Sequence, residues 1–488
     1  MMSFAWAPLL GLLLAVQEPT DPYAIAAPAP PGFDRAEAAA KTLEHLVALI
    51  AIDTTNSQNP DPSDPRPNGN EMATARWFEA QLRGKDGIET HVVDVGDGRA
   101  NFVARLRAVE PSAKPVLLMG HMDVVGADLA KWETPPFSAT EVDGYLYGRG
   151  AIDCKGPLAA ELTAFLALAK RRAQLKRDVV FLATAAEEGG TVGIDRMLNR
   201  HADLLGDPEF ALNEGGRIRV IGGRIASVNI QTTEKVSYNV KATATGSGGH
   251  GSVPLPDNAL AALARAVSRV HDWRAPVRLN ETTRLYFDRQ SRIEPDPLLR
   301  AAMKSLVRSQ DDSPLQRQVL DILSGQPQYN AVLRTGQSLT MMSGGFRSNV
   351  IPSSGTATFN VRVVPGDDIR EVVGHMNRVG DEASVLFELA GAPKASPPAS
   401  PVNTDLFRAM EEAAQLMQPD VVVIPFMSTG ATDGAALREV GIPTYGILPI
   451  PMLIEDELRM HGDNERAPVA GLGWAAEYIY RVLLKVAG

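Results

Sequence analysis

The chain has 488 residues, of which 44% are hydrophobic and 22% are charged, an ordinary composition for a soluble globular protein. At about one domain per 150 residues, this length predicts two or three domains. The formal net charge of −10 argues against non-specific nucleic-acid binding, which needs a basic face. Cys154 is the one cysteine, so an intramolecular disulfide and a cysteine-based zinc site are excluded, and any metal must be bound by histidine and carboxylate side chains.

The N-terminal segment has the pattern of an export signal. Residues from Phe4 to Val16 form a nearly unbroken apolar stretch, followed by a Pro-rich segment of small residues through Pro31. About a dozen apolar residues is too short to span a bilayer and is typical of a secretory signal core. We therefore expect a periplasmic or secreted protein with no integral membrane segment in the mature chain, or a cytoplasmic protein if the leader is not cleaved.

Strands and helices alternate in the first half of the chain. Apolar spacing predicts helices from Ala36 to Ala51 and from Leu158 to Ala169, and the Pro-, Asn- and Asp-rich stretch from Thr54 to Asn70 predicts a loop. Three apolar runs predict buried strands: 115–120, 179–186 and 210–212. This alternation of helices with unbroken apolar strands indicates an α/β sheet covered on both faces.

The pattern changes near Thr233. Apolar and polar residues alternate at 236–241 and again at 358–364, which predicts strands with one solvated face, and helices are expected after Pro256 and after Gly366. These elements predict an antiparallel sheet with helices on one side. A charged insert at about 274–336 interrupts this region, with helix-prone stretches at 297–307 and 314–323, and the sequence assigns no chemistry to it.

The α/β character returns after a Pro-rich linker at 395–401, with expected strands at 421–424 and 443–448 and a closing helix at 465–486. The predicted architecture is a mixed sheet covered by helices, interrupted by an α+β domain of ferredoxin-like type. Its predicted parts are a signal and leader at 1–31, a first catalytic part at 32–233, an inserted domain at 234–398 and a second catalytic part at 399–488.

Acidic and histidine side chains follow several predicted strands, where open α/β sheets gather ligands. They are His121, Asp123, Asp153, Glu187, Glu188, Glu214 and, near the C-terminus, His461. The pair Glu187-Glu188 at the end of a buried strand is costly without nearby positive charge, and no Lys or Arg adjoins it. Each motif alone is a common turn, cap or solvated surface. Their joint occurrence favours a metal-hydrolase centre, because zinc takes imidazole and carboxylate ligands and a paired site needs a bridging carboxylate.

Several motifs together resemble the dinuclear zinc peptidase and amidohydrolase family of glutamate carboxypeptidase, aminoacylase, carboxypeptidase S and acetylornithine deacetylase. The resemblance covers the chain after about residue 36. The matching runs are Gly120-His-Met-Asp-Val-Val125, Trp132-Glu-Thr-Pro-Pro-Phe137, Gly148-Arg-Gly-Ala-Ile-Asp-Cys-Lys-Gly156, Glu187-Glu-Gly189, Gly249-His-Gly-Ser252, Asn349-Val-Ile-Pro352, Thr429 to Ala435 and His461 to Glu465.

The resemblance implies a site for two divalent metal ions, zinc by default, with Mn²⁺ or Co²⁺ also suited to such ligands. Asp153 would bridge the two ions. The other ligands would form two pairs, His121 and Glu214 for one ion, and Glu188 and His461 for the other.

The resemblance also implies the groups around the metals. Glu187 would be the general base, which takes a proton from the attacking water and later gives it to the leaving amine. Asp123 would orient the imidazole of His121. A cis peptide bond is implied between Asp153 and Cys154, and the Cys154 thiol is either a metal ligand or a small buried filler, of which we favour the filler.

Substrate contacts are expected mainly from the inserted domain, which in this family acts as a lid and often as a dimer interface. His250 would polarise the substrate carbonyl, in some family members across a dimer, and Asn349 would also contact the substrate. Arg362 is suited to bind a substrate carboxylate, or else faces solvent from a strand, and Asn360 stands where family members often have an acidic residue. Gly430 is assigned to substrate binding by the same resemblance.

The resulting hypothesis is a hydrolase that cleaves an amide bond next to a free carboxylate, in a peptide or an N-acyl amino acid, by attack of a water that bridges two metal ions. The alternatives are a narrow deacylase of the acetylornithine deacetylase or desuccinylase type and a non-catalytic binding homologue. The leader argues against the first, and the presence of every expected ligand and base argues against the second. A nucleotide-binding protein would need a Gly-x-Gly-x-x-Gly loop after the first strand, where none occurs. A homodimer is possible.

Overall fold

The computed structural model describes residues 21–56, 69–309 and 313–488. Its first part contains α1 (Arg35–Ile50), α2 (Glu71–Leu82), β1 (Ile88–Gly96), β2 (Arg99–Leu106), β3 (Val116–His121), β4 (Thr140–Val142), β5 (Tyr145–Tyr147), α3 (Lys155–Ala169), β6 (Val179–Thr184), α4 (Val192–Arg200), α5 (Ala202–Leu205), β7 (Phe210–Ile221) and β8 (Arg224–Glu234).

The middle part contains β9 (Val236–Thr245), β10 (Gly249–His250), α6 (Ala259–Asp272), α7 (Glu281–Gln290), α8 (Pro297–Arg308), α9 (Pro314–Ser324), α10 (Pro327–Leu333), β11 (Gly336–Gly344), β12 (Val350–Ile351), β13 (Ser354–Val363), α11 (Ile369–Gly380) and β14 (Val385–Ala390). The last part contains α12 (Asp405–Met417), β15 (Val422–Ser428), α13 (Gly434–Glu439), β16 (Thr444–Met452), α14 (Ile454–Glu457), β17 (Arg466–Pro468) and α15 (Val469–Ala487).

An eight-stranded mixed sheet forms the centre of the molecule, in the order β1-β2-β6-β3-β7-β16-β8-β15. β3 pairs in parallel with both β6 and β7, and His121 at the end of β3 lies opposite Thr184 at the end of β6. The turn that carries the Glu187-Glu188 pair therefore starts beside His121. This sheet confirms the predicted α/β fold class.

Both faces of the sheet are covered, as the unbroken apolar strands predict. Along β3, Val116 and Leu118 pack into the large core with α1, α3 and α15. Their neighbours Leu117 and Met119 pack on the opposite face with side chains of α4 and α13. The alternation follows from the two-residue period of a strand, so every side chain of β3 is buried.

A second sheet is antiparallel, in the order β11-β13-β9-β14, with α6 and α11 on one face. Tyr238, Val240 and Ala242 of β9 point into this smaller core, which is the alternation that the sequence shows. α6 begins after the cap Asn258, two residues later than Pro256 and Asp257 suggest, because the Asn258 side chain accepts hydrogen bonds from the first backbone amides of the helix.

The insert forms the four helices α7 to α10, of which the sequence predicts α8 and α9. It packs on the edge strand β15 of the large sheet, through a core that includes Phe287, Met303 and Leu323 from the insert and Ile424 and Met427 from β15. The insert therefore covers the edge of the large sheet at β15.

Two predicted boundaries are wrong. The third predicted strand does not end at Leu212, because β7 runs on to Ile221, and the closing helix begins at Val469 rather than Glu465, because β17 precedes it. The signal core from Phe4 to Val16 lies outside the described residues, as does most of the predicted loop after Thr54. Within the part of the chain that the structure describes, no helix is long and apolar enough to cross a membrane.

A buried acid in α3 leads to a stability prediction. Burial raises the pKa of Glu161 well above its ordinary value, and Oε2 of its carboxyl has no hydrogen-bond partner. The folded state therefore keeps the proton over a pH range in which the unfolded chain loses it, so stability falls as the pH rises above about 4.5. We expect Glu161→Gln to raise the free energy of unfolding at pH 8 by about 2 kcal/mol, with little change at pH 4.5.

Urea denaturation at the two pH values measures this difference. Glu110→Gln, at an exposed position, is the matched control and should change neither value. Equal effects of Glu161→Gln at both pH values would contradict the assignment of a neutral buried carboxyl.

Candidate metal centre

One cavity of about 1320 Å³ collects most of the predicted site residues. They are His121, Asp153, Glu187, Glu188, Glu214, Arg362, Gly430 and His461. They come from strands and loops of both catalytic parts and, for Arg362, from the second sheet. His250 and Asn349 do not line this cavity, and Asp123 lies buried behind it.

Asp153 belongs to two groups of candidate ligands. Its Oδ1 lies 2.9 Å from Nε2 of His121, and its Oδ2 lies 3.1 Å from Nε2 of His461, which is 2.9 Å from Oε1 of Glu188. Asp153, Glu188 and His461 form one group, and His121, Asp153 and Cys154 form the other. Two ligands of one tetrahedral zinc lie about 3.3–3.6 Å apart, so shifts of a few tenths of an ångström would suit these groups to bind cations.

The Asp123 carboxylate fixes the backbone on which the glutamate pair sits. It accepts hydrogen bonds from the backbone amides of Glu187 and Glu188, both at 3.0 Å, and from the Asn56 side chain at 2.8 Å. It also lies 3.5 Å from Nδ1 of His121, and this nitrogen is 2.9 Å from the carbonyl oxygen of Asp123. With Nδ1 on this side, Nε2 of His121 faces Asp153.

The surroundings shift the pKa values of Glu187, Glu214 and Asp153. Burial raises the pKa of Glu187, and burial together with the nearby Asp153 charge raises the pKa of Glu214 to about 8. Burial also opposes ionisation of Asp153, but hydrogen bonds from His121 and His461 outweigh it and lower its pKa. The raised pKa values of Glu187 and Glu214 express a shortage of positive charge around these two acids, which cations in the cavity would relieve.

Glu214 lies in the same cavity but in neither group of candidate ligands. It sits inside β7 rather than after a strand, at a bulge where the pairing with β16 shifts between Gly446 and Leu448. Gly215 has a φ of +121° in this bulge, a conformation that residues other than glycine rarely adopt. A Cβ atom at this position would also clash with the Gln231 side chain. The bulge interrupts the strand beside the carboxylate, so Glu214 reaches the cavity although β7 continues.

Arg362 is half-buried and forms no ion pair with any described residue. Its Nε donates to Oδ1 of Asn360 at 2.9 Å, and burial lowers its pKa. Lys235 is close enough for the Arg362 charge to contribute, after burial, to a pKa lowered to about 8. Gly430 also lines the cavity, and its amide donates a hydrogen bond to the Ser428 hydroxyl.

His250 and Asn349 lie together on a small ribbon formed by β10 and β12. His250 pairs with Val350, and the Gly251 amide donates to the carbonyl of Asn349 at 2.8 Å. Both side chains are exposed, and Nδ1 of His250 is 2.7 Å from the Ser252 hydroxyl. The ribbon thus holds the two residues side by side, outside the cavity.

Residues 117–485 match the model of peptidase family M20/M25/M40. The chain belongs to this family. Among M20 relatives, it is 32% identical over 393 residues to Probable carboxypeptidase S-like 2 of Dictyostelium discoideum, covering 78% of this chain and 74% of that protein. It is 29% identical over 390 residues to the human N-fatty-acyl-amino acid synthase/hydrolase PM20D1, covering 78% and 75%.

Solved M20 structures share the fold. A metallo-carboxypeptidase of this family from Sulfolobus solfataricus, Sso-CP2, superposes with a TM-score of 0.68 at 20% identity, over 91% of this chain and 99% of that chain. Human carnosine dipeptidase 1 gives 0.67 at 18% identity, over 94% and 100%. The match to the family model and to the carboxypeptidase S-like relative makes this M20 chain an enzyme, a hydrolase of the metallopeptidase type, as the motifs predict.

Both the family and the ligand atoms in the cavity indicate a site for divalent metal ions. The cavity supplies carboxylate oxygens and imidazole nitrogens, the ligands that zinc and related divalent ions take. The peptide bond between Asp153 and Cys154 is cis, as the resemblance implies. Cys154 is fully buried and burial raises the pKa of its thiol, which favours the neutral filler over a thiolate ligand.

Several residues that support this M20 site are not among those predicted from the sequence. The buried Glu465 accepts hydrogen bonds from the Arg149 guanidinium and from the backbone amides of Gly150, Ile152 and Asp153. It thereby fixes the loop that carries Asp153. Its place in the run His461 to Glu465 was the available signal.

Two further buried acids contact the segment just before the Glu187-Glu188 pair. Glu71 accepts from the Ala186 amide and from Arg99, and burial raises its pKa to about 7. Asp433 accepts from the Thr184 hydroxyl at 2.7 Å, and burial raises its pKa to about 7 as well. Asp433 falls in the matching run that ends at Ala435, whereas nothing in the sequence around Glu71 indicates a role.

Proposed function

We propose that this enzyme hydrolyses an amide bond next to a free carboxylate, in an N-acyl amino acid or a small peptide, with two divalent metal ions, zinc by preference. One observation carries the proposal. The cavity joins two groups of imidazole and carboxylate ligands, a buried glutamate and an arginine without a carboxylate partner among the described residues. The named activities of the carboxypeptidase S-like and N-fatty-acyl-amino acid hydrolase relatives support it.

Metal ligation would involve Asp153 as the shared ligand, with His121, Glu188 and His461 beside it and Glu214 completing the site after a small movement. Two divalent cations here would polarise the scissile carbonyl and make the attacking water more acidic. Glu187 would take the proton from that water and give it to the nitrogen of the leaving amine. Its backbone is held by Asp123, so its carboxylate keeps a fixed position during both transfers.

Arg362 would bind the free carboxylate of the substrate. A half-buried guanidinium that has no ion-pair partner within the described chain gains most from a bidentate carboxylate. Lys235 strengthens the positive potential behind it. This anchor would fix the scissile bond at one distance from the ligand cluster, which explains a preference for amides next to a carboxylate.

The function is tested with metal-loaded protein on a panel of dipeptides and N-acyl amino acids, with chelator-stripped protein as control. We expect turnover that disappears on stripping and returns with Zn²⁺, Mn²⁺ or Co²⁺. Turnover of esters or peptide amides lacking the carboxylate at equal rates would contradict the proposal. Metal-independent turnover would contradict it too.

Arg362→Gln should raise KM for an N-acyl amino acid roughly 10–100-fold, because a hydrogen bond to a charged group contributes about 1.5–3 kcal/mol. The kcat should change much less, and Arg362→Lys should restore part of the affinity. Arg378→Gln, at an exposed position on α11, is the control. An unchanged KM for Arg362→Gln would remove this residue from the substrate site.

His250 and Asn349 would reach the substrate by closure of the second sheet over the cavity or from a partner subunit. The edge strand β11 supports a homodimer, because Met341 and the nearby Phe346 are 68% and 83% exposed. We expect sedimentation velocity to show a dimer for the native chain and a monomer for Met341→Lys. A native monomer would leave domain closure as the route for His250.

A further inference from the structure

The Arg217 side chain joins two segments that carry candidate metal ligands. One is the bulge of β7 that contains Glu214, and the other is the segment that leads to His461. Arg217 and Met460 are 243 positions apart in the chain, but Nη2 of Arg217 donates to Sδ of Met460 at 3.6 Å. Residues of both segments line the catalytic cavity. One guanidinium therefore contacts the neighbours of two candidate ligands.

On the β7 side, Arg217 closes the bulge. Its Nη1 donates to the carbonyl oxygens of Gly215 and Gly216, both at 2.9 Å. The register of β7 with β16 passes directly from Asn213 to Arg217, so the residues between them have no partner in β16. Buried backbone carbonyls that leave a ladder need another donor, and here the guanidinium supplies it. Arg217 thereby fixes the backbone directly after Glu214.

On the other side, the backbone at His461 depends on its surroundings. His461 has a φ of +60°, a left-handed conformation that is costly for a residue with a side chain and persists only where other contacts impose it. The Glu457 carboxylate binds Arg219 at 2.9 and 3.0 Å and lies 3.3 Å from Nε of Arg217. Arg217 thus contacts the segment before His461 at two points, Glu457 and Met460.

The contacts of Arg217 differ from those of Arg362. Arg362 forms no ion pair with any described residue, and its Nε donates to a neutral amide. The Arg217 side chain is 15% exposed, and its three nitrogens contact two carbonyl oxygens, a sulfur and a carboxylate. A planar guanidinium with these partners holds them in one geometry and has little left to offer a substrate anion. The pattern indicates positioning rather than substrate binding.

We propose that Arg217 is a positioning residue that sets the separation between Glu214 and His461, and with it the spacing of the two cations. This inference rests on the proposed metal ligation and adds the group that aligns ligands from distant parts of the chain. Glu214 lies in neither group of candidate ligands, so its alignment with the other ligands depends on how its bulge is held.

Arg217→Met removes the guanidinium and keeps most of the side-chain length. Equilibrium dialysis should show an affinity for Zn²⁺ that is about 10–100-fold lower at one or both sites, the range for groups that orient metal ligands. Activity should fall at limiting Zn²⁺ and recover in part with excess Zn²⁺, while KM changes little. Arg217→Lys, which keeps the charge without the planar fork, should restore part of the affinity. Arg224→Met, at an exposed arginine of β8, is the matched control.

A second readout needs neither metal nor turnover. Hydrogen–deuterium exchange of the metal-free chain should be faster in Arg217→Met at 212–218 and 454–462 and unchanged in α1 and α15. Faster exchange there, in a chain that binds no cation, would support the positioning role and overturn the proposed function. Unchanged Zn²⁺ affinity and exchange would keep the function and overturn the positioning role. A raised KM with both unchanged would overturn it too, because Arg217 would then contact substrate.

Discussion

Replacing Glu187 by Gln is expected to lower kcat about 10²–10⁴-fold, because positioned general acid–base catalysis contributes that range. The amide keeps the shape of the side chain but cannot accept the proton of the attacking water. KM and metal content should stay close to those of the native enzyme, since Glu187 belongs to neither group of candidate ligands. Steady-state kinetics and metal analysis by mass spectrometry measure the three quantities.

The control separates this loss from a general change of charge. Glu110→Gln removes an exposed carboxylate outside the cavity and should leave kcat unchanged. A Glu187→Gln enzyme that keeps more than about a tenth of the native kcat would show that another group accepts the proton. The buried Asp433 would then be the next candidate, because it lies near enough to contribute to the raised pKa of Glu187.

Asp153→Asn should weaken metal binding and lower activity together. Asp153 is the one residue common to the two candidate ligand groups, and its two oxygens face different histidines, His121 and His461. An amide offers one weaker oxygen, so at least one cation should be lost. If that cation supplies about 4 kcal/mol of transition-state stabilisation, kcat/KM falls roughly 10³-fold.

Equilibrium dialysis against Zn²⁺ followed by metal analysis gives the stoichiometry, and circular dichroism shows whether the variant folds. Asp203→Asn, at an exposed position, is the control and should bind metal like the native chain. Full metal content in Asp153→Asn would mean that Asp153 is not shared between two ions. The ligand scheme would then need a different bridge.

The sequence predicts the elements whose burial is simple. β3 and β6 are unbroken apolar runs, and β9 alternates because one of its faces is solvated. β8 escapes such reasoning because it buries a polar stretch that includes Gln231, Thr232 and Glu234. Some of their partners are distant in sequence, such as Thr282 for Thr232 and Arg438 for Glu234, so only the folded chain shows why these residues can be buried.

The candidate site also has one part that the sequence predicts and another that only the folded chain shows. The residues that bear chemistry occur in short motifs, and the structure gathers eight of them into one cavity. A motif does not show where its side chain lies in the fold. The position of Glu214 depends on a bulge in β7, and the position of His250 depends on how the second sheet lies against the first. The sequence also does not show that the insert lines the cavity, since residues such as Tyr286, Tyr329 and Val332 are of types that any helix core uses.

The Glu465 carboxylate has a consequence for how the enzyme is made. It holds the backbone of Asp153, 312 positions earlier in the chain, and His461 comes from the same late segment. During synthesis the acids of the first catalytic part therefore emerge long before the segment that organises them. Contacts of such long range form late in folding. The nascent hydrolase should therefore stay inactive until the segment with His461 and Glu465 has left the ribosome.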